Sequence, residues 1–322
     1  MIKNLTVILF LLYQVSTFAC LNESRILLNG EFIISDEESL VPYGHFYYKN
    51  RKEYEKELIK VYDSWKKEKN IEDYSDYGVI LVYLGDYKKA LKVFQEIETL
   101  KPGLYATAAN MGTTYELLGN NKLAYDWIKK GIEIDKDSHD GSEWLHLKIL
   151  EIKINGNKLL NSQFLIGTEF GESLIPKSEL NDEKLNELKN HIYFQLNERV
   201  SFIKPKDEIV ALLLFELGNI CSITDDATSA YRIYQKAKEY GYSSKIFEER
   251  FKNVSDLQNS LKKLISVQKT QEIKNKQEKL ENHKILKAES ERKNIMYLIF
   301  GGISVAVFSL IFIIYRKNKH IR

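Results

Sequence analysis

Apolar residues recur every three or four positions through most of the chain between residues 71 and 265, which is the period of one face of an α-helix. Residues 73–84 and residues 87–100 both follow this period, and Gly85 and Asp86 stand between them. Glycine and aspartate interrupt helices and favour turns, so the pattern predicts two helices joined by a short turn. A short turn makes the two helices antiparallel neighbours, and the predicted unit is a helix hairpin.

The same pattern occurs a second time, 34 residues later. Residues 78–90 read GVILVYLGDYKKA and residues 112–124 read GTTYELLGNNKLA, with glycine, leucine, lysine and alanine at matching positions. A hairpin with one apolar face needs a neighbouring hairpin to cover that face. The repeat therefore predicts hairpins stacked into an array.

These residues resemble the tetratricopeptide repeat (TPR) family. In the first unit, residues 71–104, the family pattern is met at Tyr77, Gly78, Gly85, Tyr87, Ala90, Phe94 and Pro102. In the second unit, residues 105–138, it is met at Met111, Gly112, Tyr115, Gly119, Ala124 and Ile128. The second unit departs from the pattern at Gly131, where alanine is usual, and at Lys136, where the closing proline is usual.

The resemblance implies an all-α fold, a TPR-type α-solenoid in which the first helix of each hairpin lines a concave groove for a partner protein or peptide. Carried over position by position, the expected groove residues are Val79, Val82, Tyr83, Ala109, Asn110, Thr113, Glu116, Leu117, Glu143 and Leu147. Ser75 and Val79 stand where the family's clamp for C-terminal carboxylates has lysine and asparagine, which argues against that clamp. A groove this apolar favours an amphipathic helix as the partner.

Beyond the two units the pattern becomes less regular. A partial third unit begins at residue 139 and completes a TPR region over residues 71–154, and residues 155–180 are turn-rich, which predicts a long loop with a short hairpin. Residues 181–265 return to helical spacing and include a diverged TPR pair, which fits the family pattern if seven residues are inserted at its turn. Cys221 lies in an apolar part of this region and is expected to be a buried small side chain.

The two ends of the chain carry membrane-related signals. Residues 1–19 combine an early lysine, a short apolar run and a small-residue cleavage site, which predicts a signal peptide; lipidation of Cys20 is the alternative reading. Residues 20–70 then lead into the repeats. Near the other end, the uncharged residues 295–315 are long enough for one transmembrane helix, and the basic tail of residues 316–322 follows.

Charges of both signs alternate over residues 266–294, which predicts a stalk helix before the membrane span. A thin apolar seam at Ile273, Leu280 and Leu286 would permit a dimer through this stalk. By the positive-inside rule the basic tail is cytoplasmic, so the rest of the mature chain is expected outside the cytoplasm, in the periplasm of a bacterium.

Composition and the absence of known motifs exclude several classes of function. The net charge is only +2, without a block of one sign, so nucleic acid is not an expected partner. Two cysteines exclude a disulfide framework. No phosphate-binding loop, dinucleotide fingerprint or nucleophile-elbow motif occurs, so no cofactor and no catalytic activity are expected.

One group of residues could carry metal chemistry. His139, Glu143 and His146 are spaced i, i+4 and i+7, so on a helix they would share one face and could present three ligands to zinc. In the alternative reading, Ser138 or Asp140 caps the helix, Glu143 favours its positive end, and the histidines are ordinary surface or packing residues. We expect no bound metal.

Together these features predict a non-catalytic scaffold or adaptor that binds a protein or peptide outside the cytoplasm. The alternative is the sensor subunit of a signalling complex whose output lies on a partner protein. A zinc-dependent hydrolase at His139, Glu143 and His146 is a more remote alternative.

Overall fold

The computed structural model describes residues 25–26, 32–33, 41–45, 50–224 and 227–319. The predicted signal peptide and Cys20 lie outside the described residues. The chain divides into one unit over residues 1–258 and another over residues 259–322. In chain order the α-helices are α1 (Arg51–Glu68), α2 (Ile71–Tyr83), α3 (Tyr87–Leu100), α4 (Tyr105–Leu117), α5 (Asn121–Ile134), α6 (Glu143–Asn155), α7 (Ser162–Ile166), α8 (Asp182–Phe202), α9 (Glu208–Thr224), α10 (Ala227–Tyr240) and α11 (Lys245–Lys319).

The helical architecture agrees with the predicted all-α solenoid, with one small addition. The strands β1 (Arg25–Ile26) and β2 (Phe32–Ile33) form a short antiparallel pair near the N-terminus. All larger elements in the described part of the chain are helices.

Local sequence sets where these helices begin. The side chains of Asn50, Asn70, Asn120 and Asn181 each accept a hydrogen bond from a backbone N–H in the first turn of the helix that follows. The first turn of a helix leaves its N–H groups without intrahelical partners, so a short polar side chain at this position stabilises the helix start.

The two predicted hairpin turns have the same backbone structure. Gly85 and Gly119 adopt positive φ angles of 83° and 78°, which a side chain would disfavour. After α2, the N–H of Asp86 donates to the carbonyl of Leu81 at 2.9 Å, and after α4 the N–H of Asn120 donates to the carbonyl of Tyr115 at the same distance. These bonds close the helix ends and turn the chain back on itself.

Close approach of the paired helices depends on glycine. A Cβ atom added to Gly78 would lie 2.5 Å from Cε1 of Phe94, and one added to Gly112 would lie 2.4 Å from Cδ1 of Ile128. Both distances are shorter than van der Waals contact, so only glycine fits. Small residues at these two positions therefore let the paired helices approach closely.

The same contact occurs in the α9–α10 pair. A Cβ atom added to Gly218 would lie 2.4 Å from the ring of Tyr234. Tyr234 follows Gly218 by sixteen positions, as Phe94 follows Gly78, so the predicted seven-residue insertion at this turn is wrong. The additional residues of the pair extend α9 mainly at its N-terminal end. Cys221 is buried in α9 as expected.

The segment between α6 and α8, predicted to be a long loop with a short hairpin, contains no strand. It contains a 3₁₀ turn (Asn157–Leu159) and the short helix α7, followed by an irregular stretch. The buried Arg250 of α11 holds this stretch, because its guanidinium donates to the main-chain oxygens of Phe170, Gly171 and Ser173. Nε and Nη2 of this one planar group supply hydrogen bonds to the loop that a strand pair would otherwise supply.

Helix α1 lies within residues 20–70, which were predicted only to lead into the repeats. Its aromatic residues stack on α2: the ring centroids of Tyr62 and Tyr77 are 4.6 Å apart, and those of Trp65 and Tyr74 are 4.5 Å apart. Tyr54, Leu58, Tyr62 and Trp65 recur every three or four residues, so the helical period was present in the sequence.

Helix α8 agrees with the predicted helix over residues 181–203. Its apolar side packs into the larger core with α6, α9 and α10 through Leu185, Leu188, Ile192, Leu196 and Val200. A second core joins α2, α3 and α4, and partly buried residues of α1 pack against it. Because one side of α8 is part of the main core, α8 is an integral element of the fold.

The end of the predicted helical region, the predicted stalk and the predicted membrane span form one continuous helix, α11. In the described part of the chain, this helix alone is long and apolar enough to cross a membrane. The apolar seam residues Ile273, Leu280 and Leu286 are exposed. Dimerisation through that seam stays a prediction.

Candidate functional site

The expected groove residues lie on the first helices of the three units, α2, α4 and α6. Val82, Ala109, Glu116 and Glu143 are buried. The partly exposed members of the set are Val79, Tyr83, Asn110, Thr113, Leu117 and Leu147. Nδ2 of Asn110 is buried without a hydrogen-bond partner in the described part of the chain. Six of the ten expected groove residues are thus partly exposed.

Helix α8 runs along these three first helices. Near its C-terminal end, the ring of Phe202 lies 4.9 Å from the ring of Tyr83 in α2. One turn earlier, Nη1 of Arg199 donates to Oε1 of Glu116 in α4 at 2.7 Å. Another turn earlier, Nε2 of Gln195 donates at 3.1 Å to Oγ of Ser142, the residue just before α6. Residues on and beside one edge of the apolar stripe of α8 therefore contact successive units of the array.

Glu116 is the centre of a buried ion cluster. Its Oε1 accepts from Arg199 and from Nζ of Lys153, both at 2.7 Å, and its Oε2 lies 2.7 Å from Nε2 of His146. Burial alone would raise the pKa of Glu116, but the three nitrogen partners outweigh burial and hold that pKa well below its usual value. Glu116 is therefore ionised at neutral pH, and its charge is met by three donors.

The three candidate zinc ligands lie close together, but not on one helix face as predicted. His139 lies in a 3₁₀ turn before α6, with a positive φ of 52°, so it does not share a helix face with Glu143 and His146. Its Nδ1 lies 2.7 Å from Oε1 of Glu143. The helix cap is Ser142, rather than Ser138 or Asp140.

The nitrogens of His146 both face carboxylates. Nε2 lies 2.7 Å from Glu116, and Nδ1 lies 3.3 Å from Oε2 of Glu143. Burial and Arg199 lower the pKa of His146, but the two carboxylates outweigh them and raise it above its usual value. No group of three histidine, cysteine, aspartate or glutamate side chains in the described ranges is arranged to hold a metal ion.

Residues 41–45 bind to α8 close to this cluster. The backbone N–H of Gly44 donates to Oδ1 of Asn197 at 2.9 Å, and that of His45 donates to Oγ of Ser201 at 2.7 Å. The imidazole of His45 lies 3.0 Å from Oε1 of Glu198. Burial raises the pKa of Glu198, but His45 outweighs burial and lowers it, so Glu198 is ionised at neutral pH.

A small cleft remains between α4, α6 and α8, and its internal volume is about 40 Å³. Its lining residues are Thr113, Glu116, Leu117, His139, Glu143, His146, Gln195, Glu198, Arg199, Phe202 and Ile203. A cleft of this volume has room for a few water molecules beside its polar groups. Three of the expected groove residues from α4 and one from α6 line it.

The contribution of α8 to the cleft was not predicted from the sequence. This helix supplies Gln195, Glu198, Arg199, Phe202 and Ile203. The sequence contained a signal for this contribution. The last two turns of α8 carry polar residues beside an apolar stripe. Hydrophobic spacing cannot say which other helix those polar residues face.

Comparison with known families agrees with the hairpin geometry. A family model described as Tetratricopeptide repeat matches residues 106–138, which cover most of α4, all of α5 and the turn that follows. No curated protein sequence matches the chain as a relative. Repeats of this family generally act as protein-binding modules and are typically not catalytic. The α4–α5 hairpin is therefore a tetratricopeptide repeat by sequence as well as by packing.

Proposed function

We propose that this protein is a non-catalytic scaffold that binds a partner protein or peptide through the inner face of its helical array. The observation that carries the proposal is the tetratricopeptide repeat at residues 106–138, whose first helix presents Thr113 and Leu117 at the mouth of the cleft. Solenoid proteins use such curved inner surfaces for binding.

We further propose that the protein works at a membrane, with its first unit outside the cytoplasm. The apolar segment within α11 supports membrane anchoring, and the basic residues after it support a cytoplasmic C-terminus. The signal-peptide pattern in residues 1–19 supports export. These sequence features suit a bacterial envelope protein.

Site-specific photo-cross-linking in intact cells tests the binding function. A photoreactive amino acid replaces Thr113 at the cleft, and a matched variant carries it at Thr99, an exposed threonine on α3. We expect a discrete cross-linked protein from position 113 and none from position 99. Equal labelling from both positions, or none from either, would contradict binding at the inner face.

The identity of the captured protein separates the two functional candidates. An exported or envelope protein cross-linked at position 113 supports the scaffold. A signalling kinase or DNA-binding subunit that co-purifies with the full chain would indicate the sensor subunit instead.

A further inference from the structure

The stalk part of α11 has its charges sorted by side. Lysine and glutamate alternate along the sequence, but a helix places residues seven positions apart on the same side. Between positions 262 and 287, three neighbouring columns of such residues contain no aspartate or glutamate. These columns form the basic face, which consists of Lys262, Lys269, Lys276 and His283, of Lys263, Thr270, Gln277 and Lys284, and of Ser266, Ile273, Leu280 and Lys287.

The carboxylates of the same segment lie outside the basic face. Glu272, Glu278 and Glu281 occupy the other columns, together with Lys274 and Lys279. All side chains of the basic face are exposed, and its lysines pair with no carboxylate in the part of the chain that the structure describes. The basic face is therefore an unpaired strip of positive charge about 38 Å long.

The centre of the basic face carries two large apolar side chains. Ile273 and Leu280 are each 58% exposed, and they lie two turns apart on the same side of the helix. Lysines flank them, at positions 269 and 276 on one side and at position 284 on the other. In paired helices, apolar residues at the centre supply contact, and charged residues at the edges select the partner. The complementary surface is a helix with apolar residues at its centre and acidic residues at its edges.

A second copy of the chain does not complement the basic face. Two copies anchored in one membrane through α11 would be parallel, so each residue of the face would meet its own counterpart. Lys263, Lys284 and Lys287 would then face identical charges, which destabilises helix pairing. The dimer predicted through Ile273 and Leu280 is therefore opposed by the lysines that surround these two residues.

The membrane that holds the span is also a poor partner. Helix α11 continues without a break from the basic face into the apolar segment of residues 295–315. Along the helix axis, Lys287 lies about 12 Å and Lys262 about 50 Å from the start of that segment. Anionic lipid headgroups attract cations only within about 10 Å of the surface at physiological salt. Most of the basic face is beyond their reach.

We infer that the basic face of α11 binds an acidic amphipathic helix of another protein. Apolar residues of that helix would pack against Ile273 and Leu280, and its carboxylates would pair with lysines such as Lys269 and Lys276. This surface is separate from the inner face of the helical array, and the inference does not rest on the proposed function. Because only two apolar residues contribute, charge supplies most of the recognition, and binding is expected to weaken at high salt.

A designed helix tests the inference. The probe is a fluorescent peptide of about four heptads, with leucine at the two central positions of each heptad and glutamate at the flanking positions. Fluorescence anisotropy measures its binding to the full chain in micelles of an uncharged detergent. We expect it to bind and to gain helical circular dichroism. The same peptide with lysine in place of glutamate should not bind, and polyglutamate, which has charge but no apolar centre, should bind more weakly.

Two matched variants locate the binding. Lys276→Glu and Lys279→Glu change the charge equally and lie three positions apart, but only the first is on the basic face. Lys276→Glu should weaken binding of the acidic peptide by about three- to tenfold, and Lys279→Glu should leave it unchanged. A peptide with lysine opposite position 276 should restore binding to Lys276→Glu. Circular dichroism establishes that each variant is as helical as wild type.

Four results would each overturn the inference. They are no binding of the acidic peptide, equal losses for Lys276→Glu and Lys279→Glu, equally tight binding of polyglutamate, and a disulfide between two copies as the main product when Leu280→Cys is oxidised without peptide. Equal binding of polyglutamate would indicate a general polyanion surface, and the disulfide would indicate a second copy. Photo-cross-linking from position 113 probes a different surface, so failure here leaves the proposed binding function standing.

Discussion

Arg199 of α8 donates a hydrogen bond of 2.7 Å to Glu116 of α4, a residue 83 positions earlier in the chain. Both side chains are almost completely buried. Glu116 lies within residues 106–138, which match the tetratricopeptide repeat model, and Arg199 lies on a helix outside the matched residues. This ion pair thus joins the repeat array to the C-terminal helices of the first unit.

Removing one partner of this pair should destabilise the protein strongly. Arg199→Met leaves Glu116 buried with Lys153 and His146 as its remaining partners, and we expect a loss of about 3 kcal/mol in the free energy of unfolding. The double variant Glu116→Gln/Arg199→Met should lose less than the sum of the single losses. Urea denaturation of the full chain in micelles, followed by tryptophan fluorescence, measures these values.

The exposed pair formed by Arg51 and Glu55 is the control for this prediction. Its N–O distance is 2.9 Å, close to that of the buried pair, but both side chains are largely in solvent. Arg51→Met should therefore change stability little. Similar losses at Arg51 and Arg199, or additive losses in the double variant, would contradict a structural role for the buried pair.

Stability should fall on the alkaline side because of His146. Its folded-state pKa is raised above the ordinary value of 6.5, since Glu116 and Glu143 outweigh burial and Arg199. A raised pKa gives stabilisation that is complete below the unfolded-state pKa and is lost as the pH rises through the folded-state pKa. Glu116 and Glu143 have lowered pKa values, so their contributions do not change in this range.

The measurement compares free energies of unfolding at about pH 6 and about pH 8.5. We expect the wild-type chain to lose stability between these values and His146→Gln to lose less, because glutamine donates without titrating. His283→Gln, at an exposed position of α11, should behave as wild type. Equal slopes for wild type and His146→Gln would contradict a charged His146 in the cluster.

Substitution of the hairpin glycine should act through one neighbouring atom. A Cβ at Gly112 would lie 2.4 Å from Cδ1 of Ile128, so Gly112→Ala should cost about 1 to 3 kcal/mol from overpacking, partly offset by about 1 kcal/mol of improved helix propensity. Gly112→Leu should cost more, and should lower the melting temperature more than Gly112→Ala does.

Ile128→Val provides the compensating change, because it removes the Cδ1 atom. In the Gly112→Ala background it should recover part of the lost stability, although Ile128→Val alone should cost about 1 kcal/mol. Thermal denaturation of wild type, the two single variants and the double variant gives the coupling free energy between the two positions. Absence of coupling would mean that the helices do not meet at this contact.

Arg250 should control the order of the loop before α8. Its guanidinium donates to the carbonyl oxygens of Phe170, Gly171 and Ser173, and to Oδ1 of Asn219 at 2.9 Å. Arg250→Met leaves these acceptors without donors, so limited proteolysis should cut within residues 167–181 faster than in wild type. Arg232→Met, at an exposed position of α10, should leave the cleavage rate unchanged.

Much of the helical framework could be predicted from the sequence. The hairpins of α2–α3 and α4–α5 depend on contacts between residues close in sequence, such as Gly78 with Phe94, and such contacts leave a regular spacing. Apolar spacing also predicted α8, the first helix of the third unit and the apolar part of α11. Helix α1 was not predicted, although Tyr62 and Trp65 lie on a helical period.

Other features could not be predicted in the same way. The loop after α6 is held by Arg250, about 80 residues later, so no local pattern distinguishes it from a hairpin. The insertion predicted between Gly218 and Tyr234 was wrong because the extra residues extend α9 at its start, a choice that spacing alone does not settle. His139 does not lie on the predicted helix face, because α6 begins only at Glu143.

The sequence by itself determined the repeating hairpins, because a helix period and a close glycine contact are both encoded within about 34 residues. It also carried the apolar segment in α11, whose length and composition are local properties. Only the tertiary structure decided what lies on the inner face of the array. The placement of α8 depends on contacts such as Phe202 with Tyr83 and Arg199 with Glu116, which join distant parts of the chain and leave no periodic trace in it.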